Sequence, residues 1–159
     1  MSPFSGGRAE AINEFQEVSL SQGEVAILYL GFSGVLLRTR GKTVAIDVAD
    51  LLGREEVEEL KGLDVLLYTH GHYDHFNLGS ASEICERLGP SVIAGPDVLS
   101  QLRRGAKCSL FEAKPGGSLE VSGIKVRAVS GSHVGPILLY FVEVDCINFV
   151  AKALGQVLQ

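Results

Sequence analysis

Residues 64–69 (DVLLYT) form an apolar run too short for a helix, and residues 70–75 (HGHYDH) follow it without a gap. A short run with no polar alternation is buried on both faces, which places it inside a layered α/β fold. Such folds collect their ligand sites just beyond the carboxyl ends of strands. The chain has four histidines, and His70, His72 and His75 all stand at this strand end.

The flanking sequence fits the same architecture. Residues 8–17 (RAEAINEFQE) have helix-forming composition, and residues 25–30, 35–39 and 44–48 read as strands joined by glycine-bearing turns. Residues 54–61 and 80–88 read as helices, the second with Ser80 or Ser82 as its cap and Gly89-Pro90 as its stop. Residues 91–94 read as a strand, and residues 97–104 as a helix capped by Asp97. From Cys108 onward the pattern is strand-like again: CSLFEA, SLEV and IKVRAV, then a loop SGSHVGP, then a hairpin of ILLYFVEV and INFV around Asp145-Cys146. The expected fold is mixed α/β (α+β), a single domain over residues 1–159 with residues 1–23 as an N-terminal extension and residues 151–159 as an atypical tail.

Composition excludes several classes of function. The formal charge is −5, and the only dense basic cluster is Arg103, Arg104 and Lys107. That is no basic stripe, so no nucleic-acid partner is expected. No apolar run approaches the roughly 18 residues of a membrane span, and the N-terminal residues lack the pattern of a signal peptide. Cys85, Cys108 and Cys146 are sparse and outside any CxxC arrangement. They read as small buried apolar residues in a reducing compartment, and a cytoplasmic protein is expected.

The histidine cluster carries the chemistry. In extended backbone, residues i and i+2 project to one side, so His70 and His72 can aim two imidazoles at one point. A turn made easy by Gly71 brings Asp74 and His75 to an adjacent point. Imidazole and carboxylate are ligands for zinc and also suit manganese and iron. Four such groups in six residues can serve one or two metals. His133, in a second glycine-rich loop after a strand, supplies the further imidazole a three-histidine centre needs. Tyr73 is expected to pack beside the site and Phe76 to anchor the loop. GFSG (residues 31–34) lacks the lysine of a phosphate-binding loop and reads as a hairpin turn. Ser130 and Ser132 lack the strand–turn–helix context of a nucleophilic serine.

HxHxDH after an apolar strand, with a later histidine, resembles the signature of the metallo-β-lactamase superfamily. LGFSGVLLRTRGKTVAID, GPSVIAGPDV and LYFVEVDCINFV resemble its other segments in order and spacing, over about residues 24–150. The nearest resemblance is to the prokaryotic metal-dependent hydrolases that include ascorbate-6-phosphate lactonase-like proteins. The resemblance implies an αββα sandwich with a dinuclear site at one edge. It implies His70, His72 and His133 as ligands of a first metal, and Asp74 and His75 as ligands of a second. Asp47 would orient a ligand histidine from behind, and Asp74 would also shuttle protons. The implied reaction is hydrolysis of a small ester, lactone or phosphoester by a metal-bound hydroxide.

Three departures accompany the resemblance. No aspartate follows the strand INFV where the family has a bridging carboxylate, no later histidine completes the second site, and Phe32 stands where relatives carry histidine. These imply a C-terminally shortened domain whose second half is incomplete, with apolar surface left exposed on the LLYFVEV and INFV strands. The alternative function is then a catalytically impaired metal-binding domain that self-associates as a homo-oligomer.

Overall fold

In the computed structural model the described residues are 7–133, 135–145 and 147–151, with side chains outside 132–136 and 146–151. Two sheets pack face to face, and helices cover one of them. The first sheet is built from β1 (Ala26–Gly31), β2 (Gly34–Arg38), β3 (Thr43–Ile46), β4 (Val65–Leu67), β5 (Ser91–Ala94) and β6 (Ser109–Glu112), in that spatial order. β1 to β3 form an antiparallel meander, and β3 to β6 run parallel. The second sheet is antiparallel, in spatial order β10 (Ile147–Ala151), β9 (Gly135–Val144), β8 (Ile124–His133) and β7 (Ser118–Val121).

The parallel strands are buried on both faces, as a continuous apolar run requires. Leu66 and Tyr68 point to the helical layer, where they meet Ile84, Val92 and Leu99. Val65 and Leu67 point the other way and pack with Ile93, Ile124, Tyr140 and Val142 between the sheets. The helical layer consists of α1 (Arg8–Glu17), α2 (Arg54–Glu59), α3 (Leu78–Leu88) and α4 (Pro96–Leu102). The described residues thus supply three layers of the expected αββα sandwich. On the outer face of the second sheet Phe141 is 39% exposed, with the Arg127 guanidinium 4.6 Å from its ring centroid.

Several expectations need correction. The segment SGSHVGP is the tip of the long β8–β9 hairpin, not a loop: Gly131 pairs with Ile137 and His133 with Gly135. The glycine serves close packing here, because a Cβ on Gly131 would lie 2.9 Å from Ile137 Cγ1. α3 is capped by Asn77, whose side chain accepts from the Ser80 backbone N–H at 2.9 Å, so neither Ser80 nor Ser82 is the cap. α4 begins at Pro96 after Gly95 and has no side-chain cap, so Asp97 is released for another contact. Cys85 and Cys108 form a disulfide, which overturns their reading as isolated apolar residues; Cys146 lies outside the described residues.

Tyr68 is fully buried, and among the described residues its hydroxyl has no hydrogen-bond partner. Burial, with the nearby Asp47 charge, holds its phenol well above the usual range, so it stays protonated. A buried donor without a partner is destabilising. Tyr68→Phe, which keeps the edge-on packing against Phe76, is expected to raise unfolding free energy by about 1 kcal/mol, read from the urea midpoint.

Candidate metal centre

Four adjacent parallel strands end at one edge of the first sheet and bring their following residues together. Asp47 follows β3, residues 69–75 follow β4, Gly95 to Asp97 follow β5, and Ala113 follows β6. The second sheet closes the edge from the other side. Leu138 N–H donates to Thr69 O at 3.0 Å, and the Tyr140 hydroxyl donates to Tyr68 O at 2.7 Å. The histidine-bearing segment is therefore clamped between both sheets at the point where β4 stops.

A tight turn then presents the rest of the motif. His75 N–H and Phe76 N–H both donate to His72 O, at 2.9 and 2.8 Å. Phe76 is buried, as expected of an anchor, whereas Tyr73 is 85% exposed rather than packed into the site. The turn places His75 in the interior and leaves Asp74 part-exposed at the rim.

Asp47 is the hub beneath these residues. It is fully buried, at φ 47°, a left-handed conformation that Asp tolerates better than most residues. Its Oδ1 accepts from Thr69 N–H at 2.8 Å, and its Oδ2 accepts from the Thr69 hydroxyl at 2.6 Å. Oδ2 also accepts from His75 Nδ1 at 2.9 Å. These bonds determine which ring nitrogen turns inward. His75 donates from Nδ1, which turns its Nε2 away from Asp47. The Thr69 hydroxyl has spent its hydrogen on Asp47, so at 3.0 Å it accepts from His70 Nδ1, and His70 Nε2 is likewise turned away from the network.

Each Nε2 meets a further polar atom. His70 Nε2 lies 3.0 Å from His72 Nδ1, with the rings edge to face. His75 Nε2 lies 3.5 Å from Asp74 Oδ2 and 3.4 Å from Ser33 Oγ. Imidazole nitrogens turned toward one another and toward a carboxylate are the kind of groups that ligate a divalent cation. No three described His, Cys, Asp or Glu side chains converge as a ready ligand set. The His70/His72 pair and the Asp74/His75 pair each need a further group. The His133 side chain, expected to complete the first, lies outside the described residues, although its backbone ends β8.

Burial and the neighbouring His75 and His72 push His70 down from 6.5 to about 4. The sign follows from linkage. Between pH 6.5 and 4 the unfolded chain binds a proton that the folded chain does not, so stability falls as pH falls through this window. The metal-free protein is expected to lose about 1–2 kcal/mol across it, the full shift being discounted for solvent screening. Urea titrations at several pH values should show this slope, and His70→Gln should remove it.

Thr69, Ser33 and Asp97 belong to the site although nothing in their residue type pointed to it. Asp97 Oδ2 accepts from Gly71 N–H at 2.7 Å and so holds the glycine between the two histidines. Thr69 had one local signal: it is the last residue of the apolar run. Ser33 and Asp97 had none, because their place depends on neighbouring strands.

Comparisons with known proteins agree with this geometry. A profile of the beta-lactamase superfamily domain matches residues 46–155. A UPF0173 metal-dependent hydrolase of Rubrobacter xylanophilus is 31% identical over 119 residues, covering 72% of this chain and 48% of the relative. The chain spans about half the length of the curated relatives it matches. Among solved structures, the metallo hydrolase Igni18 of Ignicoccus hospitalis superposes with a TM-score of 0.64 at 20% identity, over 79% of this chain and 59% of that one. The metallo-beta-lactamase fold protein YhfI of Bacillus subtilis superposes with a TM-score of 0.55 at 15% identity, over 74% and 52%. With the family profile covering most of the chain and the strand-end histidines in place, the chain belongs to the metallo-β-lactamase superfamily.

Proposed function

We propose that this chain is the metal-binding part of a metal-dependent hydrolase acting on a small ester, lactone or phosphoester. One observation carries the reading. Asp47, acting directly on His75 and through Thr69 on His70, holds both rings with their Nε2 atoms turned toward His72 and Asp74, and His70 and His72 line a cavity of about 500 Å³. Without a cation His70 Nε2 pairs with His72 Nδ1 at 3.0 Å and His75 Nε2 with Ser33 Oγ at 3.4 Å. With one the ring nitrogens become ligands, and buried acceptors are expected to find such partners.

His70 through Nε2 and His72 through Nδ1 would hold one divalent metal, with His133 as the third ligand. His75 through Nε2 and Asp74 would hold a second. Zinc, manganese and iron all suit this set. When bound, such a metal supplies Lewis acidity and makes water ionise near neutral pH. Asp97 fixes the Gly71 backbone and so the spacing of His70 and His72. Asp74, at the rim beside His75, is placed to take a proton from water at Oδ2 and return it to the departing oxygen. Thr69 and Asp47 hold Nδ1 of His70 and His75 on the far side of the rings.

Metal analysis of the purified chain, followed by stripping and reloading, tests this reading. At least one metal per chain is expected, with hydrolysis of 4-nitrophenyl esters that a chelator abolishes and added metal restores. A chain that takes up no zinc, manganese or iron at micromolar free metal sinks the proposal.

A further inference from the structure

The cavity beside the histidines has an unusual electrostatic lining. Its floor is the His70–His72 segment, one wall is α4, and the opposite wall is the β8–β9 hairpin. Pro96, Pro115, Ile137 and Leu138 make most of the wall apolar. Among the described lining residues there is no lysine or arginine, and the only carboxylate is Asp97. Of the cations near these elements, Arg103 lies 3.8 Å from Glu112 and Lys107 lies 3.0 Å from Glu86, while Lys114, between the lining residues Ala113 and Pro115, lines a separate pocket with Glu112 and Ser118. Gln101, one turn beyond Asp97, donates to the Asp97 carbonyl at 3.1 Å and adds a neutral amide to the rim.

Enzymes that take phosphoesters normally meet the phosphate charge with arginine, lysine or several backbone N–H groups in addition to any metal. Here the first turn of α4 offers an anion instead. The volume and the apolar wall match a small organic molecule seated by contact and oriented by few polar groups. We infer that this cavity selects an uncharged acyl substrate, a neutral ester or lactone with an apolar body, and that Asp97 is the residue that disfavours anionic phosphoesters. The inference rests on the hydrolase reading for its chemistry. Water adds across the acyl C–O bond, its hydroxyl going to the carbonyl carbon and its proton to the departing oxygen. No oxidant or co-reactant enters.

The selectivity has a readout that needs no turnover. Binding of γ-nonalactone and of diphenyl phosphate to the metal-free full chain is measured by NMR titration for wild type, Asp97→Asn and Gln101→Lys. Both positions are exposed, and asparagine keeps an oxygen for the Gly71 N–H. Wild type is expected to bind the lactone at least about tenfold more tightly than the phosphate. Asp97→Asn is expected to narrow that ratio by about tenfold, through tighter phosphate binding alone, and Gln101→Lys to narrow it in the same direction. Equal or tighter binding of the phosphate by wild type overturns the inference. So does an Asp97→Asn variant that changes both affinities by the same factor, which is the mark of a purely positional role. Turnover of 4-nitrophenyl butyrate and bis(4-nitrophenyl) phosphate by the metal-loaded chain separates the two readings. If neither is hydrolysed while the binding ratio behaves as expected, the hydrolase reading fails and the cavity's selectivity stands.

Discussion

Asp47→Ala is expected to lower unfolding free energy by about 3–5 kcal/mol and to weaken metal binding by about 10- to 100-fold. The stability loss comes from the donors left behind. Thr69 N–H, the Thr69 hydroxyl and His75 Nδ1–H all end on this carboxylate, in a place with no solvent to replace it. Each orphaned buried donor is worth about 1–3 kcal/mol. Alanine also suits the positive φ of this position poorly. Asp47→Asn separates the two contributions. Asparagine accepts the left-handed backbone readily, yet it keeps only one acceptor oxygen and points an amide at the remaining donors. It is expected to recover less than half of the loss. The metal effect has a different origin: without the carboxylate the His75 and His70 rings are free to exchange tautomers and turn. Urea unfolding of the metal-free protein and competition against a chromogenic chelator measure the two effects separately. A stability loss under 1 kcal/mol for Asp47→Ala would show that the network does not form in solution.

The second large effect concerns the disulfide. Cys85 lies in the last turns of α3 and Cys108 just before β6, with Cα atoms 5.1 Å apart and 23 positions apart in sequence. Closing a loop of that length restricts the unfolded chain by about 3 kcal/mol in the chain-entropy account. The loop contains all of β5 and α4, and thus Asp97 and Gln101, so the crosslink bounds one wall of the cavity. Cys108→Ser is the cleaner variant, because Cys108 is only half-buried while Cys85 is in the core. It is expected to lower stability by about 3 kcal/mol, and a reductant should lower wild type by the same amount while leaving the variant unchanged. Thiol titration under native and denaturing conditions gives an independent answer. With three cysteines in the chain, the denatured unreduced protein should show one free thiol. Three free thiols would exclude the bond.

Much of the layout was legible because it is local. The run 64–69 is apolar at every interior position and is buried on both faces, as its pattern required. The hairpin turn at Phe32-Ser33 and the helix stop at Gly89, which adopts φ 58°, were carried by glycine chemistry. The misreadings share one cause. SGSHVGP has the composition of a loop, but Gly131 is small because Ile137 crosses over it. Asp97 has the form of a helix cap, but its carboxylate is taken by Gly71, which belongs to another strand end. Cys85 and Cys108 look unrelated because the chain between them passes through a strand and a helix before returning. Tyr73, set inside the motif, turned outward because the tight turn at His72 gives the interior to His75 and Phe76.

By itself the sequence determined the identity of the ligand-type groups and the strand end that bears them. Side-chain chemistry and short-range backbone geometry are properties of a few neighbouring residues. Which ring nitrogen turns toward the buried carboxylate was decided only by the tertiary structure. Asp47 reaches His75 across 28 positions of sequence and touches His70 only through Thr69. That arrangement exists because β3 and β4 lie side by side as parallel strands and end at the same level, so that one buried carboxylate meets one imidazole directly and a second through Thr69. A hydrogen bond between strand ends depends on their pairing and register, and no local pattern of residues encodes either.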